Sequence, residues 1–302
     1  MTTSKYLSTI KIRQIYKPEI KDQMKKVLFL ATCIFFISTA KAQKDIEKLT
    51  EPIVNEGKKL YKSEMASWYG TDIFLEAYKI RENIGGYFSY VDQELTKCIF
   101  FSKTENPKVI GTITFDSTYS TNTAKTDVIE REFTDYENDL YNIRKTVHDL
   151  LTTDSLFKFY ENSSLNLIPL IENGEKKVYI LSGPKKNGLV IFGNDYLVTF
   201  DKNNKIKTKK KLHKNIIPIE YGKKLDDENV FATVHTHLDE TGDFITATDI
   251  CTLMLYEKFA KWDQHIVMSA KYVCIWDCKK DNLFTLTRKA WDKIYSHQKN
   301  DK

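Results

Sequence analysis

The feature that most constrains this chain is the passage from an apolar run into a helical pattern between Val230 and Trp262. Val230-Phe231-Ala232-Thr233-Val234 reads as a buried strand ending in His235-Thr236-His237. Ala247 to Trp262 reads as a helix with Ile250, Leu253, Met254, Phe259 and Ala260 on one stripe, widened by Cys251 and Leu255. A strand, a loop and a buried helix in that order require a sheet with a helix packed against it. Residues two apart in a strand face the same way, so both imidazoles can meet one ion, with Asp249 completing the set. The same residues also have an ordinary structural reading. The histidines can be hydrogen-bonded groups at a strand end, and Thr246-x-x-Asp249 can be a helix capping box whose acid is favoured by the helix dipole.

The rest of the chain supplies strands and helices in an α+β pattern. Apolar residues from Asp45 to about Ile80 recur at helical intervals (Ile46, Leu49, Ile53, Leu60, Met65, Ile73, Leu75, Tyr78), which predicts two amphipathic helices. After Gly85-Gly86, the runs Tyr87–Val91, Lys97–Ser102 and Val109–Phe115 read as an antiparallel meander. Phe133 to Leu151 is a helix, with Thr134 and Glu137 as its capping box; His148 on it reads as a structural or surface histidine. Strands follow at Leu165–Ile171, Lys177–Ser182, Leu189–Phe192 and Tyr196–Phe200, the last two joined by Gly193-Asn194-Asp195 as a hairpin turn. Lys205, Lys207, Lys209 and Lys211 alternate along the next strand, as on a solvated face or a guarded sheet edge. Beyond the helix come strands at His265–Met268, Tyr272–Trp276 and Leu283–Leu286.

The N-terminus reads as an export signal. Met24-Lys25-Lys26 precedes an apolar run from Val27 to Thr39, then Ala40-Lys41-Ala42 before Gln43, the order of a secretory signal peptide with its cleavage site. That run is shorter than the roughly 20 residues needed to span a bilayer, so no stable membrane anchor is expected after cleavage. The expected organisation is an upstream extension at 1–23, a signal peptide at 24–42, an N-terminal α+β region at 43–164 and a C-terminal α+β domain at 165–302. The expected location is the periplasm or the exterior. Such compartments permit disulfides, but Cys98, Cys251, Cys274 and Cys278 read first as small apolar residues, and no cysteine spacing points to a cysteine-based zinc site. The net charge of +5 is spread along 302 residues and gives no nucleic-acid footprint.

The order His235-x-His237, then Thr246-x-x-Asp249, at a strand–loop–helix junction resembles the JAB/MPN (JAMM) metalloprotease motif. The resemblance covers residues 170 to 290 at its widest and is carried by 230 to 255. It implies a JAB/MPN-like mixed sheet with a buried helix, holding Zn2+ through His235, His237 and Asp249. Thr246 would stand in for the serine that steadies the oxyanion. A glutamate from an earlier strand would serve as general base, with Glu175 first and Glu220 second by chain order. The loop between the motif's halves is one residue longer than the family's, and Leu238 stands where the family has proline. The implied activity is an exported zinc-dependent amide hydrolase acting on peptide, isopeptide or cell-wall peptide bonds. A non-catalytic exported binding protein with a structural or vestigial His-x-His site is the alternative. His235-x-His237-x-Asp239 is also similar to the start of the metallo-β-lactamase pattern, but Glu240 breaks it, and only His265 and His297 follow.

Overall fold

The computed structural model describes the backbone of residues 18–222 and 232–300, and the side chains of 43–222, 232–294 and 296. Val230, Phe231, the polar loop from 223, the extension over 1–17, and the side chains of the 24–42 segment and of His297 therefore lie outside the described residues. The chain divides into two units at Leu49/Thr50. Helix α1 (Pro18–Ala77) belongs to both, and every sheet belongs to the second. Among the described residues, no helix is long and apolar enough to cross a membrane.

The architecture is α+β, as the alternation of helical and strand periods implied. Where two helices were expected after Asp45, α1 is continuous to Ala77 with Pro52 inside it. Leu60, Ala66 and Phe74 are each almost fully buried in neighbouring apolar clusters, and this tertiary burial sustains the helix through its local breakers. Strands β1 (Ile84–Asp92), β2 (Leu95–Ser102), β3 (Val109–Phe115) and β4 (Lys125–Asp127) form the antiparallel meander. Helix α2 (Asp135–Leu150) begins at the expected capping box. Thr134 Oγ1 accepts from Glu137 N–H, and the Glu137 carboxylate accepts from Thr134 N–H while pairing with Arg131 at 2.6 and 2.8 Å.

Strands β5 (Ser163–Glu172), β6 (Glu175–Pro184), β8 (Tyr196–Phe200) and β9 (Ile206–Lys211) make a second antiparallel sheet, and β7 (Leu189–Gly193) pairs instead with β10 (Ile216–Glu220). The hairpin expected at Gly193-Asn194-Asp195 is therefore a crossover between two sheets. Gly193 (φ 75°) and Asn194 (φ 51°) both take left-handed backbone, and Asn194 and Asp195 are buried, whereas a hairpin tip would be solvated. The lysine strand β9 is the sheet's outer strand and is exposed over Ile206–Lys210, in keeping with a guarded edge.

Strands β11 (Ala232–Thr236), β12 (Gln264–Met268), β13 (Tyr272–Asp277) and β14 (Asn282–Thr287) form the last sheet, with helix α3 (Ala247–Ala260) as the crossover between the parallel pair β11 and β12. Helix α4 (Arg288–Asn300) follows. β11 is an edge strand with Val234 55% exposed, rather than the fully buried strand expected, so its alternation turns His235 inward and Val234 outward. α3 is buried on two faces. Ile250 and Leu253 pack with Val190, Phe192 and Trp276, while Cys251 and Leu255 pack with Leu60, Ile168 and Leu181. A Cβ on Gly57 would meet Ile250 Cβ at 2.7 Å, which is how closely α1 approaches α3. All four described cysteines are buried and unbridged.

Gly193 controls where the β7–β8 crossover leads. A Cβ there would lie 2.2 Å from the Asn215 carbonyl oxygen, on a backbone that disfavours side chains. Gly193→Ala should lower the unfolding free energy by about 1–3 kcal/mol, read from the denaturant midpoint. Gly174→Ala, also at positive φ but with open space around it, should cost less.

Candidate metal centre

Four buried side chains converge at the head of α3: His213, His235, His237 and Asp249, with one donor atom from each lying within 4.8 Å of the others. His235 comes from the inward face of β11. His237 follows the strand end, where its N–H donates to the Met268 carbonyl (2.8 Å) and extends the ladder to β12. The two imidazoles thus share a face, as the two-residue spacing implied, with their Nε2 atoms 3.1 Å apart. Asp249 is the third residue of α3, and His213 arrives from the turn between β9 and β10.

Asp249 fulfils its reading as a helix cap and stands beside the histidines as well. Its N–H donates to Thr246 Oγ1 (3.1 Å), and its Oδ2 accepts from Thr246 N–H (2.9 Å) and from the Thr246 hydroxyl (2.8 Å), which is a complete capping box. Its Oδ1 has no hydrogen-bond partner although it is buried. The carboxylate also faces all three histidines, with His237 Nε2 at 3.2 Å and His213 Nε2 at 3.5 Å from Oδ2, and His235 Nε2 at 3.7 Å from Oδ1.

The ring orientations are set from behind. His213 Nδ1–H donates to Asp195 Oδ1 (2.7 Å), and the Thr248 hydroxyl donates to Asp195 Oδ2. With that tautomer, assigned from the hydrogen bonds, Nε2 turns a lone pair towards the cluster. His235 Nδ1 lies 2.8 Å from His265 Nε2, and His265 Nδ1 lies 2.7 Å from Thr233 Oγ1. A relay in which His235 donates to His265 and His265 donates to Thr233 satisfies each contact and leaves His235 Nε2 as an acceptor. Phe192 stacks on His265 with centroids 4.7 Å apart, which closes that side with an apolar wall.

Three imidazole nitrogens gathered around a carboxylate need a positive charge among them. His213 Nε2 and His235 Nε2 each lie 3.1 Å from His237 Nε2, and lone pairs facing one another at that distance repel unless a proton or a metal ion lies between. One donor atom from each residue lies within 4.8 Å of the others, and the contacts of His237 Nε2 with His213 Nε2 and His235 Nε2 (3.1 Å) and with Asp249 Oδ2 (3.2 Å) are near the roughly 3.3 Å between ligand atoms on tetrahedral zinc. The donor set therefore fits a metal ion, and the orphaned Asp249 Oδ1 supplies a free oxygen for it. Without an ion the cluster holds a proton. Burial works against charging His213, yet Asp249 and Asp195 push it up to about 11. Burial holds His235 down to about 4 and His265 down to about 3. Burial alone would raise the Asp249 carboxyl, but His213 and His235 keep it well below the usual carboxylate range.

His235, His237 and Asp249 are thus brought together as the motif implied, and Thr246 lies beside them. The Thr246 hydroxyl is committed inward, between Asp249 Oδ2 and Thr248 Oγ1 (2.9 Å). Glu175 and Glu220 are not among the groups brought to the cluster. Glu175 is exposed at the β5–β6 turn, 4.0 Å from the Lys177 amine, and Glu220 is exposed at the end of β10, opposite Leu189. Sequence reasoning missed His213 and Asp195. His213 stands alone behind a lysine run with no ligand spacing, and Asp195 has the appearance of a turn residue.

The opposed shifts fix the pH response of the metal-free protein. His213 has a raised pKa, so its contribution is full below its ordinary value of 6.5 and is lost as pH rises through about 11. His235 and His265 have lowered pKa values, so theirs is present above 6.5 and is lost as pH falls towards 4 and 3. Urea midpoints measured in chelator should peak near pH 6.5 and fall on both sides. A flat profile from pH 7 to 4 would contradict the buried neutral His235–His265 pair. Searches of protein-family models, of curated proteins and of solved structures each return no match for this chain.

Proposed function

We propose that this chain is an exported zinc protein whose ion is held by His213, His235, His237 and Asp249 in a closed, four-ligand centre. The observation that carries this reading is the convergence of four buried donors within 4.8 Å of one another, each of His213 and His235 backed by a partner on its other ring nitrogen. Zinc accepts nitrogen and carboxylate donors together, and sites with four protein ligands are structural. Such a centre ties the β9–β10 turn, β11 and α3 to one point. Export is supported by the signal-like Met24–Ala42 segment.

A second reading, a zinc-dependent amide hydrolase of the JAMM kind, is favoured by one specific observation. His235-x-His237 at a strand end and Thr246-x-x-Asp249 at a helix start occupy the motif's chain order and share one cluster. Zinc with an open position would supply an acidified water for attack on an amide. In that case His235, His237 and Asp249 hold the ion, and His213 must leave the fourth position and act as the proton acceptor, oriented by Asp195. This role would replace Glu175 and Glu220, and peptide or cell-wall peptide would be the substrate.

Metal analysis separates these readings. Purified protein should carry one equivalent of zinc, lost in His235→Ala and in Asp249→Ala; folded protein that takes up no zinc would sink both. Asp195→Asn should weaken zinc binding by about 10–100-fold with the fold intact, measured by competition with a chromogenic chelator. In the closed centre, His213→Ala also loses affinity and the zinc-loaded wild type cleaves no peptide. Retained zinc in His213→Ala, with peptide cleavage by the wild type alone, would establish the hydrolase instead.

A further inference from the structure

At the other end of α3, about 10 Å along the helix from Asp249, lies a cavity of about 590 Å³. Its walls come from α1, from the ends of β5 and β6, and from the last turns of α3. No residue of the metal cluster lines it. Its volume falls within the range of small-molecule sites.

Two kinds of group meet there. Trp68 on α1 and Phe259 on α3 stack with ring centroids 6.1 Å apart and planes 24° from parallel, and Tyr256 adds a third ring 6.4 Å from Trp68. Trp68 and Phe259 are 45% and 56% exposed, unusually open for paired large aromatics that belong to a structured wall. One turn before Trp68 on α1, Glu64 Oε2 accepts from Asn166 Nδ2 (3.0 Å), a planar amide and a planar carboxyl side by side. That bond takes one Glu64 oxygen and one amide hydrogen, which leaves a carboxyl oxygen, an amide N–H and an amide carbonyl to serve a ligand.

We propose that this cavity binds a saccharide, whose ring stacks its C–H face on Trp68 and Phe259 and whose hydroxyls pair with Glu64 and Asn166. The charge pattern favours neither ionic class, since Lys185 and Lys186 on the rim oppose an organic cation and Asp72 opposes an anion. Burial also pushes the Glu64 carboxyl up to about 7, against the opposing Asn166 hydrogen bond and Arg144 charge, so it can both donate and accept. A ligand with an apolar face and a ring of hydroxyls matches exposed aromatics beside an amide–carboxyl pair. The proposal is independent of the metal centre.

The test is quenching of tryptophan fluorescence, read in the purified wild-type protein and in Trp68→Phe, which keeps a ring, and Glu64→Gln, which keeps the shape. Probes are N-acetylglucosamine and its β-linked tetramer, cellotetraose, tetramethylammonium chloride and inorganic phosphate. The expected result is saturable quenching by at least one of the sugars. Response to the tetramer with none to the monomer identifies a glycan chain as the source, and an equal response to both identifies a free sugar. Because Trp68 is itself the reporter, the variants are also titrated by calorimetry. Trp68→Ala should weaken binding at least about tenfold, Trp68→Phe less, and Glu64→Gln measurably, with unfolding midpoints near wild type. Binding of tetramethylammonium or phosphate in place of every sugar, no binding of any sugar, or sugar binding unchanged in Trp68→Ala would each overturn the proposal.

Discussion

The site rests on one buried carboxylate. Asp249 closes the first turn of α3 by accepting from Thr246 and at the same time faces three imidazoles, so helix start and cluster share a single group. Isolated, such a charge in an apolar interior would be strongly unfavourable, and it persists here because Thr246 hydrogen-bonds its Oδ2 and the His213 imidazole lies 3.5 Å from the same oxygen. Removing the cap would move the carboxylate, and removing the histidines would leave it uncompensated. Neither half stands without the other.

The helix that carries Asp249 joins two apolar clusters, one shared with β7 and the last sheet and the other with α1, β5 and β6. Its burial on both faces explains the nearly continuous run of buried residues from Ala247 to Leu253. It also fixes where each end lies. The first turn presents Asp249 to the β9–β10 turn and β11, and the last turns present Phe259 to solvent beside Trp68, with Tyr256 half-buried next to them. One rigid element thus sets the geometry of both the polar cluster and the aromatic wall.

Local signals in the sequence carried the capping boxes at Thr134 and Thr246, the antiparallel meander and the shared face of His235 and His237, because each depends on spacing within a few residues. What stayed hidden depends on packing between distant segments. The Gly193–Asp195 turn looks solvated from its composition, yet it is a buried crossover, because the strands on either side of it join different sheets. His213 has no periodicity to mark it and enters the cluster only because Asp195, displaced from its expected solvated turn, holds its ring. The unbroken α1 belongs in the same class, since the apolar spacing after Asp45 predicts two helices, while packing of Leu60, Ala66 and Phe74 against distant segments accompanies one continuous helix.

The placement of β11 at the edge of its sheet has a consequence for how the chain reaches its native state. β11 and β12 are parallel and pair only after α3 has folded back between them, and His213 arrives from the β9–β10 turn, outside their sheet. These are contacts of long sequence separation, whose loop-closure entropy must be overcome before they stabilise anything. A partly folded chain offers only the His-x-His pair, a weak and unselective chelate, and the complete donor set exists only once three distant segments have docked. Uptake of a metal at full affinity would therefore mark the last step of assembly, and loss of the ion would release the edge strand first.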